Sequence, residues 1–310
     1  KGKSDENDTK ATAHFLNAWL AGCVCREWRT MISRKRFIRF LGSIPFVGAI
    51  GAGYMRFAEP NWYEVTEKTV SIGRFRTPLR VLHLSDFHAS ESVSLESIEK
   101  AIDISLGLGG DIAFLTGDFI TGKLSNENEY QRILKKLSSL VRTYACIGNH
   151  DGGKWSGLNH GYKDFSKVRT LLEDSGVKLL FNEEERVEVS GKTLSLVGLG
   201  DLWSGDTKPK GILNTVRSRD EAVIVLSHNP DSKELLKKYD WDLMCCGHTH
   251  GGQFVIPLIG FRPFLPVIDK SFPEGLLSWG KRHGHISRGI GNLHGLRFNC
   301  RPEISILNVV

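Results

Sequence analysis

Asp86-Phe87-His88, Gly117-Asp118, Gly148-Asn149-His150-Asp151, a separate His228 and Gly247-His248-Thr249-His250 follow one another along this chain. Their side chains offer imidazole nitrogen, carboxylate oxygen and one amide oxygen. That donor set suits Mn, Fe, Zn or Co better than the all-oxygen shell preferred by Ca or Mg. There are enough donors for two adjacent divalent cations. Two cations about 3.5–4 Å apart lower the pKa of a shared water and clamp the oxygens of a phosphorus centre. The expected chemistry is metal-dependent hydrolysis of a phosphate ester or pyrophosphate. An Asp-x-His or a Gly-Asp alone arises by chance in most chains, so the inference rests on the ordered conjunction of all five clusters.

Each cluster follows an apolar run of buried-strand length: residues 80–85, 112–116, 143–147, 222–227 and 242–246. In open α/β sheets the loops at the carboxyl ends of strands converge on one edge, so five such runs deliver their ligands to one composite site. Residues 95–106, 129–141, 165–175 and 231–238 have helical spacing and alternate with the strands, as layered α/β packing requires. His83 faces away from Leu82 and Leu84 and has no motif partner, so it reads as a core histidine. His150 lies beside Asn149 on a tight turn, where it can face substrate as general acid or transition-state donor while Asn149 faces metal. Asp151 is placed with it in the catalytic turn, fixing the His150 ring or the turn itself. Gly148, Gly247, Gly251 and Gly252 suit close backbone approach or positive φ.

The five blocks resemble those of the calcineurin-like metallophosphoesterase superfamily. The resemblance implies that Asp86, His88 and His250 hold one metal, that Asn149, His228 and His248 hold the second, and that Asp118 bridges them. It implies two divalent transition-metal ions, Mn first, with Fe, Zn or Co as alternatives. It also implies a four-layer sandwich of two mixed β-sheets flanked by helices.

The chain has 310 residues, 40% of them hydrophobic, enough for one large core and an additional segment. Cys146, Cys245 and Cys246 fall in core strands and read as small buried hydrophobes. Cys23-x-Cys25 is too closely spaced for a zinc knuckle and leaves lipidation as an option. Charge is uneven. Residues 11–60 carry seven basic side chains against Glu27 and Glu59, a surplus of five out of the whole chain's +6, while residues 1–10 are balanced. The remainder is close to neutral, which gives nucleic-acid binding little support.

Basic, aromatic and apolar residues between Phe15 and Tyr54 have the composition of an interfacial helix on anionic lipid. The apolar run from Phe40 is too short to span a bilayer, and Pro45 interrupts it. The expected organisation is a polar, disordered stretch at 1–10, a helical membrane-associating segment at 11–60 and the catalytic domain at 61–310. Packing of that segment on the catalytic domain is the ordinary alternative. Ser33 to Leu41 also resembles a twin-arginine export signal, although Lys35 replaces the second arginine and no clear cleavage site follows.

Gly152 to Tyr162, with Lys154 and Trp155, reads as a loop able to stack on a base or sugar. Phe254 to Ile268 is either an apolar wall for acyl chains or a loop folded back on the core. Arg288 is a candidate phosphate contact, whereas His283, His285 and His294 read as solvated. The terminal Ser-Arg-Gly-Ile-Gly, Arg-Phe and Arg-Pro-Glu-Ile pattern resembles the membrane-associated branch of the superfamily. Within that branch the chain is similar to LpxG-type UDP-2,3-diacylglucosamine pyrophosphohydrolases of lipid A biosynthesis. That resemblance implies a nucleotide-linked lipid substrate cleaved to UMP and acyl-sugar 1-phosphate. It also implies a peripheral position on the cytoplasmic face of the inner membrane, with the membrane surface as partner; the charge distribution argues against nucleic acid, and no protein partner is inferred. An exported phosphodiesterase acting on phospholipid or cell-wall diesters, and a catalytically silent metal-stabilised scaffold, are the alternatives.

Overall fold

The structure, a computed structural model, describes residues 48–216 and 221–310. The expectations for residues 1–47, including Cys23, Cys25 and the basic cluster, lie outside the described residues. Residues 48–53 are helical, and among the described residues no helix is long and apolar enough to cross a membrane.

Tyr54–Val310 is one compact unit containing two mixed six-stranded sheets. The strands are β1 (Glu64–Val70), β2 (Leu79–Leu84), β3 (Ile112–Thr116), β4 (Thr143–Cys146), β5 (Lys178–Leu179), β6 (Glu183–Val189), β7 (Lys192–Gly198), β8 (Ala222–Leu226), β9 (Leu243–Cys246), β10 (Gly275–Trp279), β11 (Arg282–Ile286) and β12 (Glu303–Val309). The first sheet runs β1-β12-β2-β3-β4-β5 and the second β10-β11-β9-β8-β7-β6. Strands β2 to β5 are parallel, as are β7, β8, β9 and β11, so the carboxyl ends that deliver ligands share one edge in each sheet.

Side chains alternate between faces along each strand, and this divides the core. Leu79, Val81, Ile112 and Phe114 point between the sheets, where they meet Leu194, Leu196, Ile224, Leu226 and Leu243. Leu82, Leu84, Ala113 and Leu115 point outward beneath three helices. These are α1 (Leu95–Leu108), α2 (Glu127–Ser138) and, after the short α3 (Lys154–Leu158), α4 (Ser166–Asp174). Each of the three packs one apolar stripe, for example Tyr130, Ile133, Leu134 and Leu137 of α2, and burying one such aliphatic side chain stabilises by ~1.5–3 kcal/mol. The outer face of the second sheet is covered by short helical turns with Leu213, Leu236, Tyr239 and Trp241. The expected arrangement of two mixed sheets flanked by helices is therefore present.

Residues 54–60, expected in the N-terminal segment, hydrogen-bond to the far end of the chain. Arg297 N donates to Met55 O at 3.0 Å, and Arg56 Nη1 to Gly295 O at 3.1 Å. Cys146, Cys245, Cys246 and Cys300 are free and buried.

Candidate dinuclear metal centre

Five strand ends place the site. Asp86 and His88 follow β2, Asp118 follows β3, Asn149 follows β4, His228 follows β8, and His248 and His250 follow β9. The loops are stitched together: Asp86 N donates to Gly117 O at 3.0 Å, His88 N to Asp118 O at 2.9 Å and Gly247 N to His228 O at 3.0 Å. Asp86, His88, Asp118, His248 and His250 all have φ between 50° and 70°, in the left-handed region. A non-glycine residue there costs of order 1–3 kcal/mol, and such strain concentrates where side-chain aim matters more than local comfort. Glycine is required where backbone approaches ligand: a Cβ at Gly148 would collide with Asp118 Oδ1, and one at Gly247 with Asp86 Oδ2.

The candidate ligand atoms form two clusters that meet at Asp118. In one, His250 Nε2 is 3.4 Å from Asp86 Oδ1 and 3.0 Å from His88 Nε2. In the other, His248 Nδ1 is 3.2 Å from His228 Nε2. Asp118 Oδ2 stands 3.4 Å from His88 Nε2 and 3.1 Å from His228 Nε2, so one carboxylate oxygen faces both. The groups Asp86–His88–His250 and Asp118–His228–His248 each bring their donor atoms within 4.8 Å of one another.

The residues fit a pair of cations on grounds internal to the structure. His228 Nδ1 donates to Thr116 O at 2.7 Å and His248 Nε2 to Pro266 O at 3.1 Å. A carbonyl only accepts, so these bonds fix the tautomers and leave the lone pairs of His228 Nε2 and His248 Nδ1 facing each other. Two converging lone pairs repel unless a proton or a cation lies between them. Asn149 Oδ1 is buried with no hydrogen-bond partner, an arrangement costing about 1–3 kcal/mol unless the oxygen ligates something. Burial opposes charge on His228, but Asp118 outweighs it and pushes the imidazole up to about 10; the carboxylates draw positive charge. His88 Nδ1 is held by Thr121 Oγ1 at 2.7 Å.

His150 lines a cleft of about 370 Å³ together with Asp118, Asn149, His248 and His250. Its backbone N donates to Asp118 Oδ1 at 2.8 Å, and its ring lies against His88 on one side and Trp155, 4.6 Å away, on the other. Asp151 does not reach the cleft. Fully buried, it accepts from Asp118 N at 2.8 Å, Phe119 N at 2.6 Å and Gly148 N at 2.8 Å. Of the two roles expected for Asp151, fixing the turn is the one its bonds match: it ties the Gly148 turn to the Asp118 loop rather than holding the His150 ring, so its place among the catalytic residues is corrected to a positioning role.

Trp155 lines the cleft as expected, whereas Lys154 is exposed and is not part of that lining. Arg288 is also corrected. It pairs with Glu64 at 3.1 Å and with Glu274 and Glu303 at 3.4 Å, so three carboxylates already occupy the charge offered to a phosphate. His285 is buried rather than solvated, with Nδ1 2.8 Å from His83 Nδ1. His83 is a core histidine, as expected, and its Nε2 meets Thr116 Oγ1 at 2.9 Å. His283 is half-buried; His294 is exposed and sits at the mouth of the cleft.

Three residues with roles here were missed. Trp203 adds a second aromatic wall, 4.3 Å from His248 and 5.5 Å from Trp155. Thr121 orients His88. Arg297, the largest fully buried side chain among the described residues, donates to Arg288 O, Gly289 O and Cys300 O and stands behind His250. Its only signal in the sequence is an arginine among glycines, whose bare carbonyls a guanidinium can gather.

The profile of the calcineurin-like phosphoesterase family matches residues 79–252. The chain is 38% identical over 282 residues to "Phosphodiesterase YaeI" of Escherichia coli, covering 90% of this chain and all of that one. It is 28% identical to the uncharacterized metallophosphoesterase YkuE of Bacillus subtilis, over 90% of this chain and 98% of the relative. It is 26% identical to "UDP-2,3-diacylglucosamine pyrophosphatase LpxG" of Chlamydia muridarum, over 74% and 83% respectively.

Proposed function

The chain belongs to the calcineurin-like phosphoesterase family and is a phosphohydrolase, and from that premise we propose that its two histidine–carboxylate clusters form a dinuclear centre for cleaving a phosphodiester or pyrophosphate. The observation that carries this reading is the position of Asp118 Oδ2, facing His88 on one side and His228 on the other. Asp86, His88 and His250 would hold one cation, Asn149, His228 and His248 the other, and Asp118 both. Bound there, the two cations supply Lewis acidity toward a phosphoryl oxygen and a water deprotonated near neutral pH.

The chain's own residues do the rest. Asp151 fixes the loops so that Asp118 and Asn149 reach the same point. His150, at the cleft wall, donates its ring N–H toward the departing oxygen. Trp155 and Trp203 offer flat surfaces on which a base or sugar ring can lie.

The finer reading is UDP-2,3-diacylglucosamine cleaved to UMP and 2,3-diacylglucosamine 1-phosphate by a protein resting on the cytoplasmic face of the membrane. Similarity to LpxG and the basic, apolar composition of residues 11–60 support it. A second reading, a phosphodiesterase acting on phospholipid or cell-wall diesters after export, draws on the greater identity to YaeI. With Mn present, the purified protein should hydrolyse bis(4-nitrophenyl) phosphate and lose that activity to a chelator. Turnover unchanged by metal removal would overturn the dinuclear reading. Competition between UDP-2,3-diacylglucosamine and a glycerophospholipid separates the two substrates.

A further inference from the structure

A groove of about 460 Å³ opens off the catalytic cleft, lined by Phe254, Phe264, Pro266, Leu293 and Leu296 with Thr249, Gln253, His250 and His294. Three of its four polar members have little to offer a ligand. Gln253 spends both ends of its amide on Leu293, donating to O at 2.8 Å and accepting from N at 2.7 Å. Thr249 Oγ1 accepts from Gly251 N at 3.2 Å. The imidazole of His250 lies between Asp86 and Arg297. What remains accessible besides the exposed His294 is an aromatic and aliphatic wall, backed by the tilted Phe254 and Phe298 rings, 4.9 Å apart, and by the hydrogen bond from Val255 N to Phe298 O. Water in such a channel finds few partners, so an apolar occupant is favoured.

The occupant is narrowed by continuity. His250, Pro266, Leu293 and His294 line both the groove and the catalytic cleft, so a molecule whose phosphorus sits at the cleft can extend into the groove. Within the groove lining Phe264 is 71% exposed and Leu296 41%, and Leu258, Ile259 and Ile268, in the same loop as Phe264, are also exposed. This open-ended apolar channel suits a hydrocarbon chain, which can fill the channel and run out past the rim. Trp155 and Trp203 line the cleft and not the groove, leaving the flat, polar part of a substrate to the cleft.

We infer that this groove binds an alkyl or acyl chain carried by the substrate on one side of the scissile phosphorus. The inference deepens the phosphohydrolase reading and rests on it. Pro266, whose carbonyl accepts from the ligand His248, forms part of the groove wall, so a filled groove also braces the site.

The test is a series of alkyl 4-nitrophenyl phosphodiesters from methyl to decyl, each below its micelle concentration, with the full chain and Mn. Burying one methylene corresponds to about a fourfold gain in kcat/KM, so the rate should climb along the series until the groove is filled. Leu296→Asp and Phe264→Asp, at the rim, should flatten that slope, read within each variant independently of its absolute rate. A flat series in the unaltered protein, with the methyl ester turned over, overturns the groove assignment alone. Failure to hydrolyse any member, methyl included, contradicts the phosphodiesterase reading and the groove with it. A dimer by sedimentation that Leu296→Asp dissociates, together with a flat series, would assign the groove to a second copy and overturn the inference.

Discussion

His83 and Asp86 lie three positions apart, yet the histidines around them live in two different regions of the same core. His83 and His285 lie between the sheets on extended backbone. They meet each other, His83 alone also meets Thr116, and burial pushes both imidazoles below their usual value of 6.5. His88, His228, His248 and His250 are just as buried, but they sit past the strand ends among Asp86 and Asp118, and three of the four have left-handed backbone. Burial therefore does not distinguish a ligand from a core histidine. Carboxylates within reach, lone pairs aimed at a common point and a strained backbone that aims them do.

The largest effect expected from breaking this contrast is at the shared carboxylate. Asp118→Asn should lower kcat/KM toward a phosphodiester by about a thousandfold or more, and metal content by mass spectrometry should fall below two per chain. His150→Ala should lower kcat by ~10²–10⁴-fold while two metals per chain remain, which separates the group facing substrate from those facing metal. Loss of metal in that variant would place His150 among the ligands instead.

Smaller effects sharpen the other side. Asp151→Asn replaces an acceptor of three backbone N–H bonds and should cost about 1–3 kcal/mol in urea unfolding, with a smaller loss of rate than His150→Ala. The sealed pair predicts a pH dependence of stability. His83 and His285 stay neutral in the folded chain while their unfolded counterparts take up protons below about 6.5. Their contribution is therefore present above that pH and lost as pH falls through it. Unfolding midpoints of wild type and His285→Leu, followed from neutral to mildly acidic pH, should converge as acid is added; parallel curves would show that the pair is charged. Arg288→Gln, which breaks ion pairs away from the cleft, should change kcat/KM by no more than about twofold while lowering the melting temperature, by a cost of about 1–3 kcal/mol.

The sequence revealed the strands that carry ligands because β2, β3, β4, β8 and β9 are buried on both faces along nearly their whole length and read as largely apolar runs, interrupted chiefly by Arg80 and His83 of β2. Strands β1 and β6 were not anticipated: Glu64–Val70 and Glu183–Val189 place charges on an exposed face and break the apolar signal. The β6–β7 turn, with Ser190 and Gly191 both at positive φ, is a two-residue hairpin that only the alternation around it could have marked. His285 misled because Arg282-His283-Gly284-His285 looks polar, although β11 lies between β9 and β10 and turns alternate residues into the core. Arg288 misled for a different reason: its partners Glu64, Glu274 and Glu303 are distant in sequence, so nothing local shows that its charge is already matched. The left-handed backbone of the ligands leaves no mark in the sequence, because aspartate and histidine carry no conformational signature comparable to glycine's.

The most direct test is anomalous scattering from crystals of the full chain grown with Mn. Two peaks about 3.5–4 Å apart on either side of Asp118 Oδ2, one beside Asp86, His88 and His250 and the other beside Asn149, His228 and His248, are predicted. A single peak away from Asp118, or none at a Mn concentration that supports turnover, would contradict the account.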